Sequence, residues 1–269
     1  MSRLESRDLL RTAERAARAG AAALHPFRLQ REALRVDIKQ TNDFVTAADV
    51  ASERAVAQII ASDWPTHRIL GEELSSGVRL GSEPTWVVDP LDGTTNFIHG
   101  FPNYCVSVAC VVEGEVVAGV VLDPTRDECF AARRGGGAWL GGTRLRVSDA
   151  PGLDHTLIGT GFPFRYLDRL EAYLGSFRQI AQRAAGIRRP GSAALDLASV
   201  AAGRFDGFWE EGLGAWDIAA GTLLIEEAGG LITDFRGGRG FLQDGTVIAG
   251  GAAVHRDLLE IVARYQLDR

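Results

Sequence analysis

The residues best placed to do chemistry are acidic. Asp49, Glu72, the pair Asp89 and Asp92, and Asp217 each follow or cap an apolar stretch that reads as a buried element. A carboxylate at the end of such an element is held rigidly and opens to solvent, where working side chains gather. Carboxylates brought together repel one another, and hard divalent cations bound through oxygen relieve that repulsion. Mg²⁺ suits the set: it takes carboxylates, a backbone carbonyl and waters, and completes its shell with substrate phosphate. The segment Trp86-Val87-Val88-Asp89-Pro90-Leu91-Asp92-Gly93-Thr94-Thr95-Asn96-Phe97 concentrates this chemistry. Asp89 leaves an apolar run, and Pro90 stiffens the turn and removes a competing donor. Leu91 can offer its carbonyl to a metal, and Asp92 follows on the same loop. Gly93 lets the backbone approach a ligand closely. The amides of Gly93, Thr94 and Thr95 are expected at a helix N-terminus, aimed at a phosphate. Metal ligands beside a phosphate cradle predict phosphoryl transfer.

Each residue also has an ordinary reading. Thr46-x-x-Asp49 has the form of a capping box. Glu72-Glu73 alone could be a solvated strand end, Asp89 and Asp92 an Asx-turn pair, and Asp217 the cap of the helix after Trp216. The chemical reading rests on their occurring together. Gly135-Gly136-Gly137 lacks the Lys-Ser/Thr of a phosphate loop and reads as a hairpin turn. His99, His155 and His255 have no metal spacing, and no cysteine or serine is placed as a convincing nucleophile. Arg188 and Arg189 are either a solvated pair or a substrate contact, with Arg188 the candidate.

These side chains need elements to hold them. Residues 8–25 have the apolar spacing of an Ala-rich amphipathic helix, ended by His25-Pro26. A second helix is predicted from Thr46 to about Ser62. Ile69-Leu70 and Trp86 to Val88 read as short strands. Val106 to Val112 and Val116 to Leu122 read as a hairpin turning at Gly114-Glu115, with Cys129 to Ala132 and Leu145 to Val147 as further strands. After Ala150-Pro151-Gly152 the texture becomes a strand–helix alternation. Strands are expected at 157–160, 205–209, 231–233 and 247–249. Helices are expected at 166–185, 193–202, 216–228 and 254–265. The organisation predicted is an α+β half over 1–149 carrying most metal ligands and an α/β half over 150–269 completing the site.

Composition sets the outer bounds. The chain has 269 residues, enough for a substantial core, and a formal net charge of −6, so nucleic-acid binding is not expected. Three cysteines without a zinc spacing read as free thiols of a reducing cytosol. The opening Met1-Ser2-Arg3-Leu4-Glu5 has no apolar h-region, and no run suits a membrane span. A cytoplasmic protein without membrane attachment is the expectation.

The segment Asp89-Pro90-Leu91-Asp92-Gly93-Thr94-Thr95-Asn96-Phe97 resembles the D-P-[IL]-D-G-T-T-N-F signature of the inositol monophosphatase family. Gly71-Glu72-Glu73 upstream matches as well. Trp216-Asp217-Ile218-Ala219-Ala220-Gly221, followed by Glu227-Ala228-Gly229-Gly230, resembles the family's second signature. Gly161-Phe162-Pro163-Phe164 and Gly191-Ser192-Ala193-Ala194-Leu195-Asp196-Leu197 are similar to the bacterial SuhB-type branch. The resemblance covers roughly residues 8 to 265.

It implies a layered αβαβα sandwich, commonly dimeric, and a Mg²⁺-dependent phosphomonoesterase acting through a metal-activated water. Glu72, Asp89 and the Leu91 carbonyl would hold one Mg²⁺. Asp89, Asp92 and Asp217 would hold a second, and Glu72 would help hold a third through waters. Asp49 and Thr94 would polarise the attacking water, with Glu72 near it. Gly93 and Thr94 would bind phosphate. Glu210, Asp217, Ala193 and Arg188 would lie at the substrate's polyol end. The substrate implied is inositol 1-phosphate or a related small polyol or sugar phosphate, with Li⁺ as an inhibitor. Fructose-1,6-bisphosphatase, histidinol-phosphatase and 3′-nucleotidase relatives share the metal motif. A protein-binding regulatory role on the same fold is the competing class. Gly214-Ala215, before Trp216, departs from relatives with larger or polar residues there, which loosens the inference about substrate.

Overall fold

The computed structural model describes residues 3–30, 36–40, 43–75, 77–164 and 166–266; Met1 and Ser2 of the charged opening lie outside the described residues. The chain opens with helix α1 (Arg3–Leu29), a hairpin of β1 (Val36–Gln40) and β2 (Asp43–Thr46), and helix α2 (Ala47–Asp63). The larger sheet follows in chain order: β3 (Arg68–Gly71), β4 (Thr85–Asp92), β5 (Cys105–Val112), β6 (Glu115–Asp123), β7 (Glu128–Arg133), β8 (Gly137–Leu140) and β9 (Thr143–Arg144). β3 and β4 are parallel and the remaining pairs antiparallel. A short helix, α3 (Thr94–His99), leaves the end of β4. The smaller sheet contains β10 (Leu157–Thr160), β11 (Gly186–Arg188), β12 (Gly207–Glu211), β13 (Leu231–Thr233) and β14 (Thr246–Gly250), in the spatial order β11-β10-β12-β14-β13. Its helices are α4 (Leu170–Ala181), α5 (Ala193–Ala201), α6 (Ala215–Glu227), the single turn α7 (Phe241–Asp244) and α8 (Ala252–Gln266).

Strand alternation turns these elements into layers. Trp86 and Val88 of β4 face one way, into a core with Leu9, Ala13, Ala16 and Leu24 of α1 and Val56 and Ile60 of α2. Val87 faces the other way, into a core with Leu197 of α5, Leu223 of α6 and Phe208 and Val247 of the smaller sheet. Trp209 and Ile248 look out from the far side of that sheet onto Tyr173 and Ile180 of α4 and Val254 and Leu258 of α8. The result is five layers, α1/α2, large sheet, α5/α6, small sheet, α4/α8, which is the expected αβαβα sandwich. The large sheet is covered on both faces, so β4, β5 and β6 read as nearly continuous apolar runs.

Most expected elements lie within a few residues of their predicted places, and three differ. α1 runs through Pro26 to Leu29 instead of stopping at His25-Pro26. A proline in the last turn gives up one backbone hydrogen bond, and the preceding turns are already anchored on the sheet. Leu145 to Val147 is not a strand: Leu145 donates to the Ala138 carbonyl at 2.8 Å and Val147 to the Ala228 carbonyl at 3.2 Å, so the segment bridges two elements. The expected helix over 166–185 is a 3₁₀ turn, Leu167–Arg169, followed by α4. The hairpin of β1 and β2 and the three-residue β11 were not anticipated, being too short to carry a period. Cys105 and Cys110 are buried and Cys129 is half-buried, all free thiols. Among the described residues no helix is long and apolar enough to cross a membrane.

The middle layer sits very close to the large sheet at Gly119 of β6. A β-carbon there would lie 3.1 Å from the Ala220 Cα and 3.2 Å from the Ala220 carbonyl oxygen of α6. Both contacts are backbone or bonded to it, so a larger residue must push the helix away. Gly119→Val is expected to cost about 1–3 kcal/mol by overpacking. Urea denaturation should show a lower midpoint with an unchanged slope.

Candidate active site

β4 is buried along its length and carries Asp89 and Asp92 at its end, where the register with β5 shifts. The Leu91 amide donates to Asp89 Oδ1 at 2.9 Å, so the Asx turn forms within the chemical loop. Ser52 of α2 donates to the Pro90 carbonyl at 2.7 Å and fixes the loop from the outer helix layer. Gly93 then turns the chain with φ of +99°, and a β-carbon would meet the Asn103 carbonyl at 2.9 Å. Only glycine meets both demands. The first amides of α3 follow directly, with no side-chain cap.

α6 brings Asp217 to the same place. Its carboxylate accepts the Gly214 amide at 2.6 Å, half of a capping box, since Gly214 has no side chain to return the bond. The Ser107 hydroxyl of β5 donates to the Trp216 carbonyl at 3.2 Å and ties the start of α6 to the strand beside Asp89. Asp89, Asp92 and Asp217 each offer a carboxylate oxygen, all within 4.8 Å of one another. Glu72 stands beside them just past β3, and its amide donates to the Val88 carbonyl at 3.2 Å. Buried Glu53 of α2 accepts the amides of Glu73 and Leu74 at 2.8 and 2.9 Å and steadies that turn.

The electrostatics follow from this crowding. Burial raises the Asp89 carboxyl well above the ordinary range, and the charges of Glu72, Asp92 and Asp217 raise it further. Asp92 is pushed up to about 7 by burial and then by Asp217. Asp49 lies one step back, fully buried. Its Oδ2 accepts the Thr46 amide at 2.8 Å and hydroxyl at 2.6 Å, completing the capping box of α2. Its Oδ1 accepts the Thr94 hydroxyl at 3.0 Å, and that hydroxyl also lies 3.1 Å from the Leu91 carbonyl. Burial raises the Asp49 carboxyl against the lowering effect of these bonds.

These groups line one cleft of about 420 Å³ between the ends of the two sheets. Its lining includes Glu72, Asp89, Asp92, Asp217 and the start of α3, together with Phe162, Phe164, Tyr166, Arg189, Ala193 and Glu210. The sequence model of the inositol monophosphatase family matches residues 5–267. This chain belongs to that family. It is 47% identical over 258 residues to the Nus factor SuhB of Pseudomonas aeruginosa, covering 94% of this chain and 95% of that one. It is 46% identical over 231 residues to the inositol-1-monophosphatase of Rhizobium meliloti, covering 86% and 87%. Its fold is similar to the crystal structure of the extragenic suppressor protein suhB from Bartonella henselae, with TM-score 0.89, 38% identity and 95% and 98% coverage.

Within this inositol monophosphatase fold, Glu72, Asp89, Leu91, Asp92, Gly93, Thr94, Ala193, Glu210 and Asp217 all line the cleft, and Asp49 reaches it through Thr94. Arg188 does not. It is exposed, its guanidinium donates to the Ile187 carbonyl at 3.1 Å, and Arg189 lines the cleft instead, over the Phe164 ring at 4.9 Å. Neighbours on an extended chain point to opposite sides, so of this adjacent pair Arg189 lines the cleft and Arg188 does not. Reading the sequence also passed over Ser192, which caps α5 and touches Asp92. A serine just before an apolar helical run was the available signal.

Oxygen donors as close as those of Asp89, Asp92 and Asp217 fit hard divalent cations. Without cations the folded chain keeps a proton on Asp92 up to about pH 7, where an unfolded chain has already released it. The site's stability contribution is therefore present in acid and is lost as pH rises through about 7. In chelator at pH 8, Asp92→Asn is expected to melt several degrees above the parent chain, with the gap closing at pH 5. Mg²⁺ should raise the parent's melting temperature at pH 8 and the variant's much less. Thermal melts with and without chelator make the comparison.

Proposed function

We propose that this chain is a Mg²⁺-dependent phosphomonoesterase that hydrolyses inositol 1-phosphate or a related small polyol or sugar phosphate. The observation that carries the reading is the gathering of Asp89, Asp92 and Asp217 at the threshold of α3, in one cleft that Glu210 also lines. Glu72, Asp89 and the Leu91 carbonyl would hold one Mg²⁺, Asp89, Asp92 and Asp217 would hold a second, and Glu72 would help hold a third. When bound, these ions lower the pKa of the attacking water and neutralise charge on the phosphate and the departing oxygen.

The protein's own part is positioning and proton handling. The amides of Gly93 and Thr94 receive the phosphate oxygens. The Thr94 hydroxyl, already directed at Asp49 Oδ1, takes the proton of the attacking water as it passes its own to that carboxylate. A buried carboxyl with a raised pKa is the better acceptor for it. Glu210 accepts a hydroxyl of the leaving group, and Ala193 packs at the same polyol end. We take the working unit to be a homodimer in the cytoplasm.

A second reading keeps the fold for a regulatory partnership. What favours it is that the 47% identical relative carries the name Nus factor. Such a role requires a surface and not a loaded metal site, so it should survive Asp92→Asn.

The deciding assay is phosphate release from inositol 1-phosphate with and without Mg²⁺, in the parent chain and Asp92→Asn. Release should require Mg²⁺, fall with millimolar Li⁺ and drop by orders of magnitude in the variant. Absence of release from inositol phosphate, fructose bisphosphate and histidinol phosphate alike would overturn the phosphatase reading. Asp49→Asn isolates the proton step: kcat should fall about 10²–10⁴-fold with little change in KM. Unchanged kcat would remove Asp49 from the mechanism.

A further inference from the structure

The far half of the chain reaches back to hold Asp92. Three donors converge on one of its oxygens, Oδ2. The Ser192 hydroxyl donates at 2.6 Å, the Ala194 amide at 2.7 Å, and the Cys105 thiol lies at 3.8 Å. The Ala193 amide also favours the charged form of this carboxylate. Ser192 is fully buried and is the N-cap of α5, where its Oγ also accepts the Leu195 amide at 3.4 Å. The Cys105 thiol sits 3.6 Å from the same hydroxyl. The segment carrying Ser192 is strapped to the loop after β4 a second time. Asn96 Nδ2 donates to the Pro190 carbonyl at 2.8 Å and to the Asn103 carbonyl at 2.7 Å.

A carboxylate pinned through one oxygen cannot rotate freely, and its second oxygen is presented in a fixed direction. Partners that orient a metal-binding carboxylate in this way commonly set cation affinity. We propose that Ser192 is the positioning residue for Asp92, so that packing of α5 against the metal loop sets how tightly the cation shared by Asp89, Asp92 and Asp217 is bound. This rests on the reading of Asp92 as a metal ligand. Ser192 does this alongside its helix cap, using the hydroxyl hydrogen for Asp92 and the oxygen's lone pair for Leu195. The connection spans 100 residues of sequence. It couples the orientation of a ligand on the large sheet to the position of a helix in the middle layer.

The test separates the clamp from the cap. Glycine is nearly as good an N-cap as serine, so Ser192→Gly removes the bond to Asp92 while leaving α5 close to its normal stability. Asparagine is also a preferred N-cap, but its longer side chain cannot reproduce the 2.6 Å contact. Threonine keeps the hydroxyl. Binding of Mn²⁺ to the chelator-treated protein is measured by calorimetric titration without substrate, beside a thermal melt without cation. Ser192→Gly and Ser192→Asn should weaken one class of Mn²⁺ site by about 10–100-fold, and Ser192→Thr should stay within about threefold of the parent. Melting temperatures without cation should stay close to the parent's. Parent-like Mn²⁺ affinity in Ser192→Gly overturns the proposal, as does a Ser192→Thr variant as weak as Ser192→Gly. Should Ser192→Gly fail to fold, Ser192→Asn decides by the same criterion. Asp92→Asn run in parallel keeps the two readings apart. If it too binds like the parent, the ligand assignment has failed; if it alone loses affinity, only the positioning role has.

Discussion

The central constraint is repulsion between carboxylates that the fold forces together. Asp89 and Asp92 are buried at the end of a strand with no freedom to turn away, and Asp217 is delivered against them by the first turn of α6. Left to themselves these groups would hold protons or separate. They cannot separate, because each is tied by backbone donors: Asp89 by the Leu91 amide, Asp92 by that of Ala194, Asp217 by that of Gly214. Amide hydrogen bonds favour the charged form and offset part of the crowding. The remainder is a standing demand for positive charge at one point in the cleft. Much of the surrounding architecture can be understood as a means of resisting that repulsion.

The layer order supplies the resistance. β4 lies inside the large sheet, between β3 and β5, with apolar cores on both faces, so its end cannot shift without disturbing two cores. α5 and α6 occupy the space between the sheets, and their N-termini meet the loop after β4. Asp217 sits in the first turn of α6, and the α5 cap holds Asp92. Negative charge at a helix N-terminus is favourable by itself, since the unpaired amides there carry partial positive charge. The fold therefore places its least comfortable groups where two helix ends can ease them.

The same device operates one layer out. Asp49 closes the capping box of α2 through Oδ2 and receives the Thr94 hydroxyl through Oδ1. One side chain thus serves as a helix cap and as a link from the outer helices to the cleft. Burial makes it a stronger proton acceptor than an exposed cap would be. The structural and chemical readings of this residue are compatible because the two oxygens face different partners. Asp89 and Asp217 behave alike, each forming its ordinary turn or cap while lining the cleft.

The sequence by itself determined the local chemistry and most of the elements. Asp89-Pro90-Leu91-Asp92-Gly93-Thr94 is contiguous, so its turn, its ligands and its amides are legible without a fold. The capping box at Thr46 and the apolar runs of β4, β5 and β6 depend on neighbours a few residues apart, which is the range over which periodicity and capping operate. The full reach of α1 past Pro26 was hidden because the packing that sustains it is distant in sequence. That Arg189 and not Arg188 lines the cleft was hidden because it depends on how the chain leaves a three-residue edge strand. Only the tertiary structure decided that Ser192 meets Asp92 across 100 residues and that Thr94 meets Asp49 across 45. Such contacts arise where separately stable layers are pressed together, and no local pattern records which polar groups will then face each other.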